Sequence, residues 1–211
     1  MNIKSMAIGC SVFFLLCNTR HLEGNVSETL DEHLRKNGVH VNEGYLSESQ
    51  KQIFNQILQS NPQIQTIMEI GLNAGHSAEN FMNHCKGLKR FVSFDINDHS
   101  YVSVAVQYLS LKCTNCFQFI EGDSQITVPA YAASFPQEKF DLIYIDGGHE
   151  LSNAFNDISN CKLLAHKDTI LLIDDYYCVK KVIDDLSMKN QIFVDEVFET
   201  DRNWIRAHYV W

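Results

Sequence analysis

Between residues 66 and 188 the chain alternates short apolar runs with amphipathic stretches, and it then closes on two apolar runs in succession. Period and length predict strands over 66–70, 90–96, 116–121, 140–146 and 169–173, each followed by a helix, over 78–85, 101–111, 128–134, 152–164 and 179–188. Strands that alternate with helices make parallel pairs joined by helical crossovers. The runs 141–145 and 169–173 are apolar almost without a break, as strands covered on both faces must be. The last two runs, 191–198 and 204–210, have no helix between them and predict an antiparallel edge hairpin. The expected fold is therefore α/β: a doubly wound, mostly parallel seven-stranded sheet with helices on both faces.

The sequence before the first strand is different. Residues 1–20 form an apolar segment, with Lys4 ahead of an apolar run over 5–17. That run has the length of a signal-peptide core and is too short to span a bilayer as a helix. No clear cleavage site follows it, and a helix packed on the domain is the other reading. Residues 21–60 predict a helical segment: a short helix over 29–36 that ends near Gly38, then Ser47 as an N-cap for a helix over 49–58. The second helix carries Ile53, Ile57 and Leu58 on one face and breaks at Asn61-Pro62. Residues 61–211 hold the α/β domain.

Composition narrows the function. Hydrophobic residues make up 45% of the 211 residues, enough for a real core. A formal net charge of −9, with no Lys/Arg run, disfavours nucleic acid and fits a small-molecule partner or a metal held by carboxylates. Seven cysteines, odd in number and irregular in spacing, predict reduced thiols. Cys113 and Cys116 form a lone C-x-x-C without a second pair or a histidine at metal spacing, so two half-buried thiols are expected there.

In an open α/β sheet, ligands bind beyond the carboxyl ends of the strands. After the first strand comes Glu69-Ile-Gly71-Leu-Asn-Ala-Gly75-His-Ser77. Gly71 and Gly75 allow a sharp turn and a close backbone approach, and Glu69 suits a cationic group such as an ammonium. The G-x-x-x-G spacing is not the G-x-G-x-x-G that favours a dinucleotide. The second strand ends at Asp95, placed to accept both hydroxyls of a ribose. The third ends in Gly122-Asp123-Ser124-Gln125, a polar cluster suited to an adenine amino group or to capping a helix. The fourth ends in Asp146-Gly-Gly-His149 and the fifth in Asp174-Asp175. Asp146, Asp174 and Asp175 converge at one end of neighbouring central strands. Unpaired buried carboxylates are costly, so the cluster calls for a cation, and oxygen ligands favour Mg²⁺, Mn²⁺ or Ca²⁺. His149, on a glycine-flanked loop beside them, is a candidate general base.

These stations, in this order, resemble the class I S-adenosylmethionine-dependent methyltransferases, and among them the metal-dependent O-methyltransferases of the catechol and caffeoyl-CoA type. The family's E-x-G-x-x-x-G-x-S turn matches Glu69, Gly71, Gly75 and Ser77. Its acid after the second strand matches Asp95, and its polar cluster after the third matches Asp123, Ser124 and Gln125. Its metal ligands fall on Asp146, Asp174 and Asp175. The sequence departs from the pattern where the third ligand is usually Asn, and where the catechol enzyme's catalytic Lys gives way to His149. Both departures look more like the metal-dependent O-methyltransferases of macrolides and sugars. The resemblance covers about residues 44–211 and implies a Rossmann-like fold. It implies S-adenosylmethionine and a divalent metal, Mg²⁺ first, as cofactors. Glu69, Gly71, Gly75, Ser77, Asp95, Asp123, Ser124, Gln125 and Asp146 would bind S-adenosylmethionine. Asp146 and His149 would be catalytic.

The expected partner is a small-molecule or sugar hydroxyl acceptor, with no nucleic acid, and with a homodimer open. A cytoplasmic setting is expected, since export would separate the chain from cytosolic S-adenosylmethionine; an exported or membrane-associated chain is the alternative if residues 1–20 act as leader or anchor. Two rival functions stand beside this one. A non-catalytic binding module on the same fold would have lost Glu69, Asp95 or the acid cluster, and all are present. A nicotinamide-dependent oxidoreductase would carry the other glycine spacing.

Overall fold

A computed structural model describes residues 28–200 and 202–211. The apolar segment at residues 1–20, with its two readings, lies outside the described residues. Seven strands form one sheet in the order β3-β2-β1-β4-β5-β7-β6. They are β1 (Thr66–Ile70), β2 (Arg90–Asp95), β3 (Phe117–Glu121), β4 (Phe140–Ile145), β5 (Ala165–Ile173), β6 (Ile192–Glu199) and β7 (Asn203–Tyr209). The first five pair in parallel, and β7 runs antiparallel to both β5 and β6. This is the doubly wound sheet with an antiparallel edge hairpin that the sequence pattern predicts. The strand order reverses between β1 and β4, and an open sheet splits to admit a ligand at such a reversal.

The helices are α1 (Leu30–Lys36), α2 (Glu48–Ser60), α3 (His76–His84), α4 (Ser100–Lys112), α5 (Ser124–Ser134), α6 (Leu151–Cys161) and α7 (Tyr176–Met188). Side chains alternate across a strand with period two, so each strand feeds two cores. Met68, Ile70, Val92, Phe94, Ile143 and Ile145 face one core, closed by Val128 of α5, Ile158 of α6 and Ile183 of α7. Ile67, Phe91, Leu142 and Tyr144 face the other, closed by Leu30, Phe54, Phe81 and Leu109 from α1 to α4. The two helices that precede the sheet thus share its core. Phe54 of α2 stacks on Phe81 at 5.2 Å and meets the edge of Trp204, which is fully buried.

Both early helices begin on capping boxes. Thr29 and Glu32 exchange side chain and backbone bonds at α1, as do Ser47 and Gln50 at α2. Three helices start two or more residues earlier than hydrophobic period alone suggests. Helix α3 starts at His76, directly after left-handed Gly75. Helix α7 starts at Tyr176, after left-handed Asp175. Helix α5 starts at Ser124, four residues before the expected start, because the Asp123 carboxylate accepts the Gln125 amide and Pro129 is accommodated inside the helix.

Cys113 and Cys116 correct the expectation of free thiols. Cys113 caps α4, and the chain turns so that the Cys116 amide bonds the Cys113 carbonyl just before β3. The turn holds the two Cα atoms 5.4 Å apart, and the residues are joined as a disulfide. Among the described residues no helix is long and apolar enough to cross a membrane.

Candidate active site

The carboxyl ends of β1 to β4 open into a cleft of about 410 Å³. Gly71, Asn73, Asp95, Gly122, Asp123, Ser124, Gln125, Asp146 and His149 line it, so the loops after four successive strands meet at one place. Backbone bonds continue the sheet into these loops. The Gly71 amide bonds the Phe94 carbonyl at 2.8 Å, Asp146 bonds Ile70 at 2.9 Å, and Gly122 bonds Asp95 at 2.8 Å.

Gly71 shows why the turn needs glycine. Its φ is +90°, and a Cβ built there would lie 2.0 Å from the Asp146 carbonyl oxygen. Gly75 is also left-handed and packs against Ala105 and Leu109 of α4, away from the cleft. The glycines of this turn therefore divide their work. Gly71 brings the β1 and β4 loops together, and Gly75 seats α3 on its neighbour.

Glu69 does not reach the cleft. It has the parity of Ile67 and points into the α1–α4 core, where it is fully buried. Ser77, from the first turn of α3, donates to one carboxylate oxygen, and Ser93, its register partner on β2, donates to the other at 2.8 Å. Burial pushes its pKa up to about 8 against the two serine bonds. Glu69 and Ser77 therefore form a pair that pins α3 to β1 beneath the glycine turn. The strand's alternation sets the face: Ile70, the last residue of β1, faces the other core and lines the cleft, and Glu69 precedes it on the α1–α4 side.

Asp95 sits in the cleft wall with its carboxylate fixed. One oxygen accepts the Asn73 amide at 2.9 Å and the other the Asn97 amide at 2.7 Å. Each oxygen keeps a lone pair for a ligand hydroxyl. Asn73 is itself left-handed, at φ 48°.

At the third strand's end the side chains are already engaged. Ser124 donates to Asp157 at 2.6 Å. The Gln125 amide donates to Asn153 at 2.8 Å and accepts from Asn156 at 2.7 Å. The expected adenine contacts of Ser124 and Gln125 are thus spent on α6 in this structure, and Asp123 caps α5.

The acid cluster divides in two. Asp146, His149 and Asp175 each present a ligand atom, all within 4.8 Å of one another. His149 Nε2 lies 2.7 Å from an Asp175 oxygen, and its side chain is 61% exposed. Asp174 is not part of that group. It is buried, and its oxygens accept from the Tyr144 hydroxyl at 2.9 Å, the Gln50 amide at 3.2 Å and the Asp175 backbone at 2.9 Å. The Arg202 guanidinium lies 3.7 Å away. The Tyr144 hydroxyl also contacts Asp146 at 3.0 Å, so one phenol serves two carboxylates. Burial and the neighbouring Asp174 charge hold the Asp146 carboxyl well above the usual range. Carboxylates so placed gain from a cation. The donor set of two carboxylates and one imidazole fits a divalent metal, with Asp174 behind it.

Part of the lining comes from segments that carry no motif in the sequence. Glu43 and Gly44, from the segment before α2, close one side of the cleft. His99 bonds the Glu43 carboxylate at 3.1 Å, and His76 bonds the Gly44 carbonyl at 3.1 Å. Arg202, at the hairpin, closes the far end. None stands in a spacing that points to the glycine turn. Gly44 is left-handed, at φ 80°. Here a Cβ on it would strike the Asn73 side chain.

The profile of a methyltransferase domain family matches residues 68–176, from β1 to the start of α7. No curated protein matches the chain in sequence. Solved structures share the fold at low identity. An O-methyltransferase from Bacillus cereus in complex with SAH is 16% identical over 85% of this chain and 90% of its own, with a TM-score of 0.70. An O-methyltransferase of tomaymycin synthesis from Streptomyces achromogenes, bound to SAM, is 12% identical over 86% and 88%, also at 0.70. A TDP-rhamnose 3′-O-methyltransferase of calicheamicin biosynthesis is 18% identical over 76% and 81%, at 0.62.

Proposed function

The chain belongs to the methyltransferase domain family, and from that premise we propose that it transfers a methyl group from S-adenosylmethionine to a hydroxyl of a small molecule or sugar, with a divalent cation at the acceptor. The observation that carries this reading is the cleft itself. A ribose-ready carboxylate, Asp95, lines it together with Asp146 and His149, and Asp175 stands within 4.8 Å of those two as the third member of a cation-ready cluster. The likeness to O-methyltransferases named with SAM or SAH supports the cofactor, and the sugar enzyme among them supports a polyhydroxyl acceptor.

Bound cofactor supplies an electrophilic methyl, and a bound cation lowers the pKa of a hydroxyl that it coordinates. The chain's own groups do the rest. Asp95, held by two backbone amides, accepts the ribose hydroxyls without having to reorganise. Gly71 lets the backbone lie against the ligand where any side chain would collide with Asp146. Asp146 and Asp175 would hold the cation, and the Tyr144 hydroxyl would orient the Asp146 carboxylate toward it. His149 leans on Asp175 at the mouth of the cleft and accepts the hydroxyl proton. Most of the gain is alignment of two reactants in one cleft.

The test is methyl transfer to a panel of catechols, sugars and nucleotide sugars, with Mg²⁺ and then with EDTA. Transfer should need the metal, and Asp146→Ala should abolish it while S-adenosylmethionine still binds. Equal transfer in EDTA would remove the metal from the account. The same assay separates two roles for His149. As the base, His149→Ala lowers kcat and leaves the Mg²⁺ dependence alone; as a ligand, it raises the Mg²⁺ needed.

A further inference from the structure

Helix α6 carries a polar face that the chemistry above does not use. Asn153, Asn156 and Asp157 stand at helical spacing on one side of it, and that side meets both loops of the cleft. Asn153 and Asn156 take up the Gln125 amide. Asp157 is 1% exposed and accepts the Ser124 hydroxyl at 2.6 Å. The glycine pair after Asp146 rests on the same side chains. A Cβ on Gly147 would lie 2.9 Å from Asp157 Oδ2, and one on Gly148 would lie 2.7 Å from Asn153 Nδ2. The cofactor end and the catalytic loop therefore share one floor, and a buried carboxylate is at its centre.

We propose that Asp157 is a positioning residue for the cofactor end of the cleft, locking Ser124 and the 122–125 turn against the Gly147–Gly148 loop. This rests on the reading of the cleft as an S-adenosylmethionine site. A carboxylate in this place is more than packing. Its charge makes the Ser124 bond a strong one, and that bond ties the start of α5 to α6. The groups that face it are Asp123 and Ser124 at the start of α5 and, one turn along α6, buried Cys161; among the described residues no lysine or arginine stands with them. Burial, with the Asp123 charge added, raises its pKa to about 6 against the Ser124 bond. The locked, ionised form should therefore dominate above that pH and give way below it.

The experiment is calorimetric titration of S-adenosylhomocysteine into the full chain, Ser124→Ala, Asp157→Asn and the double variant, from pH 5 to 8. Circular dichroism checks that each is folded. Expected is about tenfold weaker binding at pH 8 for either single variant, with no further loss in the double, because both remove one bond. The unaltered chain should lose affinity as pH falls through about 6, and Asp157→Asn should show no such step. Asn is the conservative replacement that keeps shape and loses charge, so a purely structural role would leave binding and its pH profile unchanged. Independent, additive losses, or a pH step that survives in Asp157→Asn, would overturn the inference alone. Absence of binding to the unaltered chain would overturn the cofactor reading with it.

Discussion

Two carboxylates on the same face of neighbouring strands have opposite fates here, and position along the strand decides between them: Glu69 lies one residue inside β1, and Asp95 is the last residue of β2. Glu69 points into the core and is satisfied by serines; Asp95 ends β2 in the cleft and is satisfied by amides. Burial that raises the Glu69 pKa to about 8 from an ordinary 4.5 has a consequence for stability. The folded chain holds that proton more tightly than the unfolded one. Its contribution is complete below about pH 4.5 and is lost as pH rises through about 8. Glu69→Gln cannot ionise, so its stability in urea should change less between pH 5 and 9. The difference in slope should amount to a few kcal/mol, on the order set by 1.4 kcal/mol per pKa unit. Parallel curves for the two proteins would contradict the buried, protonated carboxyl.

The elements were mostly legible because their signals are local. A five-residue apolar run and a Ser-x-x-Gln capping box need no distant partner, and β1 and the cap at Ser47 stand where the sequence puts them. Ser47→Ala should cost about 1 kcal/mol in urea unfolding, the worth of a helix cap; no change would mean that α2 is held by packing alone. The site was legible only to its loops. Asp146, His149 and Asp175 stand at or just beyond strand ends, but the bonds that Gln50 and Tyr144 make to the Asp174 oxygens have no sign in the sequence. Gln50 is 124 positions away in the chain, and no spacing encodes that bond. Ser124 and Gln125 teach the same lesson, since their partners on α6 become visible only when the helix docks. The Cys113–Cys116 pairing was misjudged because composition speaks of the whole chain, while one turn at the end of α4 sets that distance.

At the scale of the molecule, one sheet does two jobs. Its two cores, one on each face, make the frame rigid, and its strand reversal between β1 and β4 leaves an opening at the carboxyl ends. The helices before the sheet are part of this frame. They complete one core, and the segment between them closes the cleft through Glu43 and Gly44. The acidic lining, with Arg202 its lone arginine or lysine among the described residues, suits a sulfonium cofactor and a metal. The central claim is that this cleft binds S-adenosylmethionine through Asp95. The most direct measurement is calorimetric titration of S-adenosylmethionine and its demethylated product into the purified chain and into Asp95→Ala, with Mg²⁺ and then with EDTA. The account predicts binding of both ligands to the unaltered chain in either condition, and its loss in Asp95→Ala. No heat from either ligand in both conditions, or equal binding by the variant, would contradict it.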